Sequence, residues 1–597
     1  MRTPAARVIL ATIVFVSVGR AAEHPGNVHV VGENVRVTVP ATWTRWRAVD
    51  IDGKEVGSGA PEDGKVDLGE LPVGYFEILD GSGAEKVTAA VLAPTTTDDD
   101  TPVAIDAAMS WFYPEADQVR GACRLARLAG VKWVRDRASW PELETSRGTW
   151  AADTRYERTM RIEHEMGLKV LQVNHISPPW ATKNATRFPE DLRDVYNFYR
   201  GLAKRWKGLA DAIEPWNEPD IEVFGGHTGC EIASFQKAAY LGLKAGDPDL
   251  AVNGAVFAID RAETLDEFGA NEAYPYFDRY GLHHYIRLPE YARAYGRHRA
   301  VSGGRPMWTT EFNLTVHWAD EKTKEPSDEE LRVQGYRVGK VFAHALHEGT
   351  DKAFYFILGD YVERNLQYGI IHKDLTPRPA YVAFAAVGRL LNAAKPLGRV
   401  DLGDEKLKSF AFATKVDGQP RETLVMWSET KPTAVDVPGV AALYDYLGRP
   451  LPQKSKIELT RATVLAVLPP GGSNALELAP PPDKPKRLTG AACPVVLQLL
   501  GPTDFRQSAF RADETKELRL VAYNFGGQPA RGKLHIEGAT AAAAGDDVDI
   551  AAGGRDERTI RVWSAGTVTI RLDLGEAGIA VLSGRLTTTP PTSKPAN

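Results

Sequence analysis

Cysteine is scarce in this chain. Its 597 residues hold three, Cys123, Cys230 and Cys493, none close to another. That spacing excludes a disulfide framework and any thiolate metal site, whose ligands recur at short fixed intervals. An excess of one charge is also lacking. Lys and Arg number 72 against 78 Asp and Glu, a net charge of −6, and no long basic run occurs. Nucleic acid, which requires a basic face, is thereby excluded as a partner. Repeats of solenoid type are absent. Beyond the N-terminus no apolar run is long enough to cross a bilayer.

The N-terminus itself reads as an export signal over 1–22. Arg2 and Arg7 give a positive start, Val8 to Val18 is apolar, and Ala21 and Ala22 are small enough for cleavage. The expected mature protein is secreted or periplasmic and has no transmembrane segment.

A chain this long divides into several domains. Residues 27–92 alternate in short strands with Gly and Asp turns, the pattern of an Ig-like β-domain. A polar linker precedes a different rhythm over 100–395, strand then loop then helix. The strands fall at 103–110, 131–135, 169–174, 212–216, 251–257, 280–285, 306–311 and 353–358. Helical spacing marks most intervals between them, although the fifth helix, around 262–268, is short. Eight strands alternating with helices predict an α/β fold, with the size and rhythm of a TIM (β/α)8 barrel. Two further β-sandwich domains are expected at 396–478 and 490–588. Residues 589–597 carry no apolar pattern and read as a disordered tail.

Catalysis in such a barrel is assembled where the strands end. Trp216-Asn217-Glu218-Pro219 closes the fourth strand, and Trp308-Thr309-Thr310-Glu311-Phe312-Asn313 spans the end of the seventh. Two carboxylates on separate strands of one barrel suit glycosidic cleavage, one as acid and one as nucleophile or base. Further polar groups end other strands: Arg135 on the second, His175 after the third, and His283, His284 and Tyr285 on the sixth. Glu214 lies deeper than Glu218 and reads as a buried structural carboxylate. Trp140, Trp180 and Trp308 are core candidates that could also support a sugar by stacking.

On these residues the chain resembles the glycoside hydrolases of clan A, with families 39 and 5 nearest. The resemblance covers the barrel. It implies a retaining enzyme acting on β-glycosidic bonds of an oligosaccharide or polysaccharide, with no cofactor. Asn217-Glu218 matches the family's Asn and acid/base Glu, Glu311 its nucleophile, and His283-x-Tyr285 its strand-six pattern. Arg135 and His175 match its strand-two arginine and strand-three histidine. It implies that Arg135 and the Tyr285 hydroxyl favour the Glu311 anion, and that Asn217 donates to the sugar 2-hydroxyl. One feature departs: the Trp that commonly ends strand eight is replaced by Phe354-Tyr355-Phe356.

Two competitors stand beside this reading. Metal-dependent hydrolysis on the same barrel commonly uses His-x-His after strand one, where this chain has Met109-Ser110-Trp111; His283 and His284 alone are too few ligands. The other is a non-catalytic carbohydrate-binding protein on a barrel scaffold, which need not keep both carboxylates.

Overall fold

The computed structural model describes residues 24–453, 456–511, 517–538, 541–543 and 545–587. The export segment expected at 1–22 and the tail expected at 589–597 lie outside them.

Eight parallel strands close into a barrel. They are β1 (Val103–Asp106), β2 (Trp133–Ala138), β3 (Lys169–Asn174), β4 (Ala212–Glu214), β5 (Ala251–Phe257), β6 (Arg279–His284), β7 (Met307–Phe312) and β8 (Thr350–Phe356). Each pairs with the next, and β8 closes on β1 through Ala353 to Val103 and Phe356 to Asp106. Helices follow the strands: α1 (Ala116–Leu128), α2 (Arg155–Glu165), α3 (Leu192–Arg205), α4 (Gly229–Gly246), α5 (Ala262–Ala270), α6 (Tyr291–Val301), α7 (Asp328–His347) and α8 (Pro379–Leu390). Their apolar stripes explain them. On α3, Leu192, Val195, Phe198, Tyr199 and Leu202 recur every three or four residues and all are buried. Thr154 and Thr228 start α2 and α4 with capping boxes to Glu157 and Glu231. Around the ring, α8 approaches the end of α1 so closely that a Cβ on Gly388 would sit 1.9 Å from the Ala129 carbonyl oxygen.

Several strand bounds differ from the sequence expectation, the eighth running over Thr350–Phe356 instead of 353–358, and three strands show the local cause. The second strand starts later and runs on to Ala138, because Val131 still bonds back to α1 through its amide to Ala126 O. The first ends at Asp106; the chain then bends at Ala108 (φ 44°) into the short helix Met109–Phe112. The fourth ladder stops at Glu214, where Pro215 has no N–H to give.

The period of two along each strand decides what fills the barrel. Its lower layer is apolar: Ala104, Trp133, Leu171, Ala212, Trp308 and Phe354 pack together. Trp308 meets Trp133 edge-on at 5.0 Å, and the Arg279 guanidinium covers its ring at 4.7 Å. Trp308 is 2 % exposed and belongs to this floor, so it packs the barrel interior and is not open to the rim. The reason is register, since Trp308 enters near the start of β7 and Glu311 near its end.

Flanking β-sheets surround the barrel. A five-stranded and a two-stranded sheet lie within 28–92, around Val35, Val37, Trp46, Phe76 and Ile78. A seven-stranded and a two-stranded sheet occupy 395–479, and a four-stranded and a six-stranded sheet 495–587. Among the described residues no helix is long and apolar enough to cross a membrane.

Trp308→Ala should open a cavity in the floor and destabilise the protein by about 3–5 kcal/mol. Urea unfolding of the variant measures this; an unchanged midpoint would contradict the placement.

Candidate active site

Above the apolar floor lies a charged layer centred on Arg135, itself wholly buried. Its Nε donates to Glu214 at 2.6 Å, Nη1 to Asp106 at 2.7 Å and also to Glu311, and Nη2 to Asn217 Oδ1 at 2.7 Å. Glu214 accepts a second bond from Asn253 at 2.6 Å. Arg137, two residues on and therefore on the same inner face, donates to Asp106 at 2.7 Å and to Glu311 Oε1 at 3.4 Å. Isolated, each of these ions would cost several kcal/mol to bury; forked pairing offsets that cost.

Glu311 rises from this layer to the rim. Its Oε1 faces the two arginines, and its Oε2 accepts the Tyr285 hydroxyl at 2.6 Å. Glu218 stands across from it, just past β4, on backbone bent to φ 44°. His283 lies between the two acids, with Nδ1 at 2.9 Å from Glu218 Oε1 and 3.7 Å from Glu311 Oε2. Its Nε2 meets Thr310 Oγ1 at 3.0 Å. One carboxylate oxygen each of Glu218 and Glu311 and a nitrogen of His283 all fall within 4.8 Å of one another. Three such groups could converge on a cation, but both nitrogens of His283 already have protein partners.

The electrostatics separate the roles. Burial would raise the Glu311 carboxyl; the His283 charge, then Arg135 and Arg137, and the Tyr285 hydrogen bond outweigh it and bring it down to about 2. Burial would lower His283, but Glu311 and the bond to Glu218 push it above its ordinary value. His175 is held well below its ordinary value by burial and then by Arg137 and Arg135, so it is a neutral imidazole.

The structure therefore gathers Arg135, Asn217, Glu218, His283, Tyr285 and Glu311 into one contiguous group. His175 sits beside it, its ring 5.1 Å from Trp111 and 5.6 Å from Phe224, with Nε2 unpaired among the described residues. Trp308 is not in the group, and neither is His284, whose Nε2 meets the Tyr295 hydroxyl outside the barrel.

Sequence reasoning missed three members. Arg137 was legible from the period of two once Arg135 was placed inward. Asp106 ends β1 as the shared acceptor of both arginines. Trp111, 41 % exposed, stands at the rim over His175 and leaves part of its ring open to solvent. At the end of β8, Phe356 packs edge-on to Tyr285 at 5.9 Å, and Tyr368 does so at 5.8 Å.

No protein-family model and no curated protein matches this sequence. Solved structures do match. A family 39 glycoside hydrolase from the gut symbiont Bacteroides cellulosilyticus WH2 superposes with a TM-score of 0.59 at 17% identity, covering 74% of this chain and 99% of its own. A family 30 endoxylanase from Clostridium papyrosolvens C71 gives 0.46 at 13% identity, over 63% of this chain and 98% of its own. A family 39 β-xylosidase from Caulobacter crescentus gives 0.44 at 16% identity, over 63% of this chain and 97% of its own. This chain shares the barrel architecture of the first of these.

Removing the central cation should leave buried carboxylates uncompensated. Arg135→Met is expected to lose about 3–5 kcal/mol of stability at neutral pH, read by urea unfolding. A loss under about 1 kcal/mol, the range of an exposed pair, would contradict the charged layer. The pH dependence has a definite sign. Glu311 is lower in the folded chain than its ordinary 4.5, so its anion contributes stability that is present above 4.5 and lost as pH falls through about 2.

Proposed function

We propose that this chain is a retaining glycoside hydrolase of the clan A type, exported to the cell exterior or periplasm. In this reading Glu311 is the nucleophile and Glu218 the acid/base that cleave a β-glycosidic bond. The observation that carries the reading is the pair of rim carboxylates with oxygens within 4.8 Å of each other. Retaining enzymes hold their carboxyl groups about 5–5.5 Å apart, whereas inverting ones need about 6.5–9.5 Å to admit water between them.

The asymmetry of the two acids supports the assignment. Glu311 faces two guanidinium groups and a phenol, which hold it anionic; among the described residues the Glu218 carboxyl bonds only to the imidazole of His283. In the first step a lone pair on Glu311 Oε2 attacks the anomeric carbon. The bond to the leaving oxygen breaks, and that oxygen takes the proton of Glu218. In the second step Glu218 removes a proton from water, which attacks the same carbon and releases Glu311. Configuration is kept because the carbon is inverted twice.

The surrounding groups have roles that follow from their bonds. Asn217 spends Oδ1 on Arg135, which fixes the amide and leaves its Nδ2 hydrogens for a sugar 2-hydroxyl. The Tyr285 hydroxyl must give up Glu311 as negative charge leaves that carboxylate. Trp111 and the neutral His175 line the wall of the sugar site in this proposal. The signal read at 1–22 supports export, where polymeric or oligomeric carbohydrate would be met.

Aryl β-glycosides provide the test. Turnover by the wild type should fall by about 10²–10⁴-fold in Glu218→Gln, the size of a general acid–base contribution. In Glu311→Ala it should vanish while the fold persists. Proton NMR of the first product formed should show the starting β-anomer. Full activity in either variant, or an α-anomer as first product, would overturn the proposal. Affinity for sugars without any aryl release would favour a carbohydrate-binding protein instead.

A further inference from the structure

A second cluster of ligand-type side chains, separate from the rim group, lies where the described chain begins. His24 precedes the turn Pro25–Asn27, His29 sits on the strand Val28–Val30, and Glu33 follows it. The two imidazoles stack with ring centroids 4.2 Å apart, and His24 Nδ1 is 3.7 Å from Glu33 Oε2. One ligand atom from each of the three falls within 4.8 Å of the other two.

The unmet hydrogen bonds of this cluster are unusual. His29 is 0% exposed, yet neither of its ring nitrogens has a partner among the described residues. His24 Nδ1 is likewise buried and unpaired. Buried polar atoms are normally satisfied, and an unsatisfied group asks for an unseen partner.

The backbone already holds these groups together. Gly26, at φ 64°, packs against Leu375 so tightly that a Cβ there would lie 2.0 Å from the Leu375 carbonyl oxygen. Asn27 donates its amide to Thr88 O at 3.1 Å, and Glu33 Oε2 accepts from the Val30 amide at 2.7 Å. The turn is thus wedged between the N-terminal β-domain and the barrel.

We propose that His24, His29 and Glu33 form a structural zinc-type divalent cation site that pins this turn to the first β-domain. Two imidazole nitrogens and a carboxylate oxygen suit zinc, with water completing a tetrahedron. At Zn–N distances of about 2.0–2.1 Å, tetrahedral ligands stand roughly 3.3–3.5 Å apart. The cluster must therefore tighten by about an ångström, within reach of the half-exposed Glu33 side chain. Both ring nitrogens of His29 lack a partner among the described residues, so the imidazole is free to ligate. Arg124 of α1, whose Nε has no partner, faces the same cluster, and Glu33 supplies the compensating negative charge.

Zinc titration of the full chain, stripped with a chelator, tests the site by calorimetry and thermal unfolding. Because the rim trio of Glu218, His283 and Glu311 could also take zinc, the titration is repeated in Glu311→Ala. Wild type and Glu311→Ala should each bind one equivalent at this site and unfold at a higher temperature with zinc. His24→Ala and Glu33→Gln, both at exposed or half-buried positions, should weaken that binding at least tenfold. His29→Asn should abolish it, and if that variant does not fold the other two still decide. Absence of zinc binding to the wild type would overturn the proposal. So would binding unchanged in both His24→Ala and Glu33→Gln, or lost only in Glu311→Ala.

Discussion

A single buried guanidinium organises this molecule. Arg135 has no access to solvent, and its fork reaches Glu214, Asp106, Glu311 and Asn217, which come from β4, β1, β7 and the turn after β4. Arginine alone suits that position. Its planar donors meet several acceptors at fixed angles, and it keeps its proton in a buried setting. The surrounding acids in turn raise its affinity for that proton against the penalty of burial. Barrel closure and the state of Glu311 are therefore one problem with one solution. The same bonds that tie the strands together hold a carboxylate charged at the rim.

Much of this was legible in the sequence, and the limits have physical causes. The strand-end residues were readable because a parallel strand buried on both faces is apolar until it stops, so Glu218 and Glu311 stood out. The buried role of Glu214 followed from its depth. Register was harder. Placing the second strand at 131–135 made Arg135 its last residue, whereas β2 runs to Ala138 and carries Arg137 inward beside it. Trp308 misled because a tryptophan near a catalytic position reads equally as a sugar platform or as core. Only closure of the barrel, which sets it against Trp133 and Phe354, distinguishes the two. Trp111 was passed over because it lies beyond β1, on a short helix reached through a left-handed residue at Ala108.

Sequence also said little about how the last β-domain sits, since many of its contacts are made by polar groups on helices that would ordinarily face water, beside apolar ones such as Tyr196 on Phe525. Lys237 of α4 donates to Val581 O at 2.7 Å, and Ser234 to Leu497 O at 2.9 Å. Asn271 exchanges two bonds with Ser583, at 2.7 and 3.0 Å. Glu267 of α5 accepts from the Arg585 amide at 2.9 Å and from Ser508, and burial pushes its carboxyl up to about 7 despite those bonds. A seam made of satisfied, buried hydrogen bonds fixes orientation more strictly than an apolar contact would. It holds the outer faces of α4 and α5, the helices that follow β4 and β5, and so supports the part of the rim that presents Glu218.

In the proposed function, Arg135 and its partners make Glu311 the anion that bonds to carbon. Covalent trapping measures this most directly. A panel of 2-deoxy-2-fluoro β-glycosides with good leaving groups should inactivate the protein with one sugar per chain, and peptide mapping by mass spectrometry should find that sugar on Glu311. A sugar ester on any other carboxylate, or inactivation-free turnover of the reagents without a trapped species, would contradict the account.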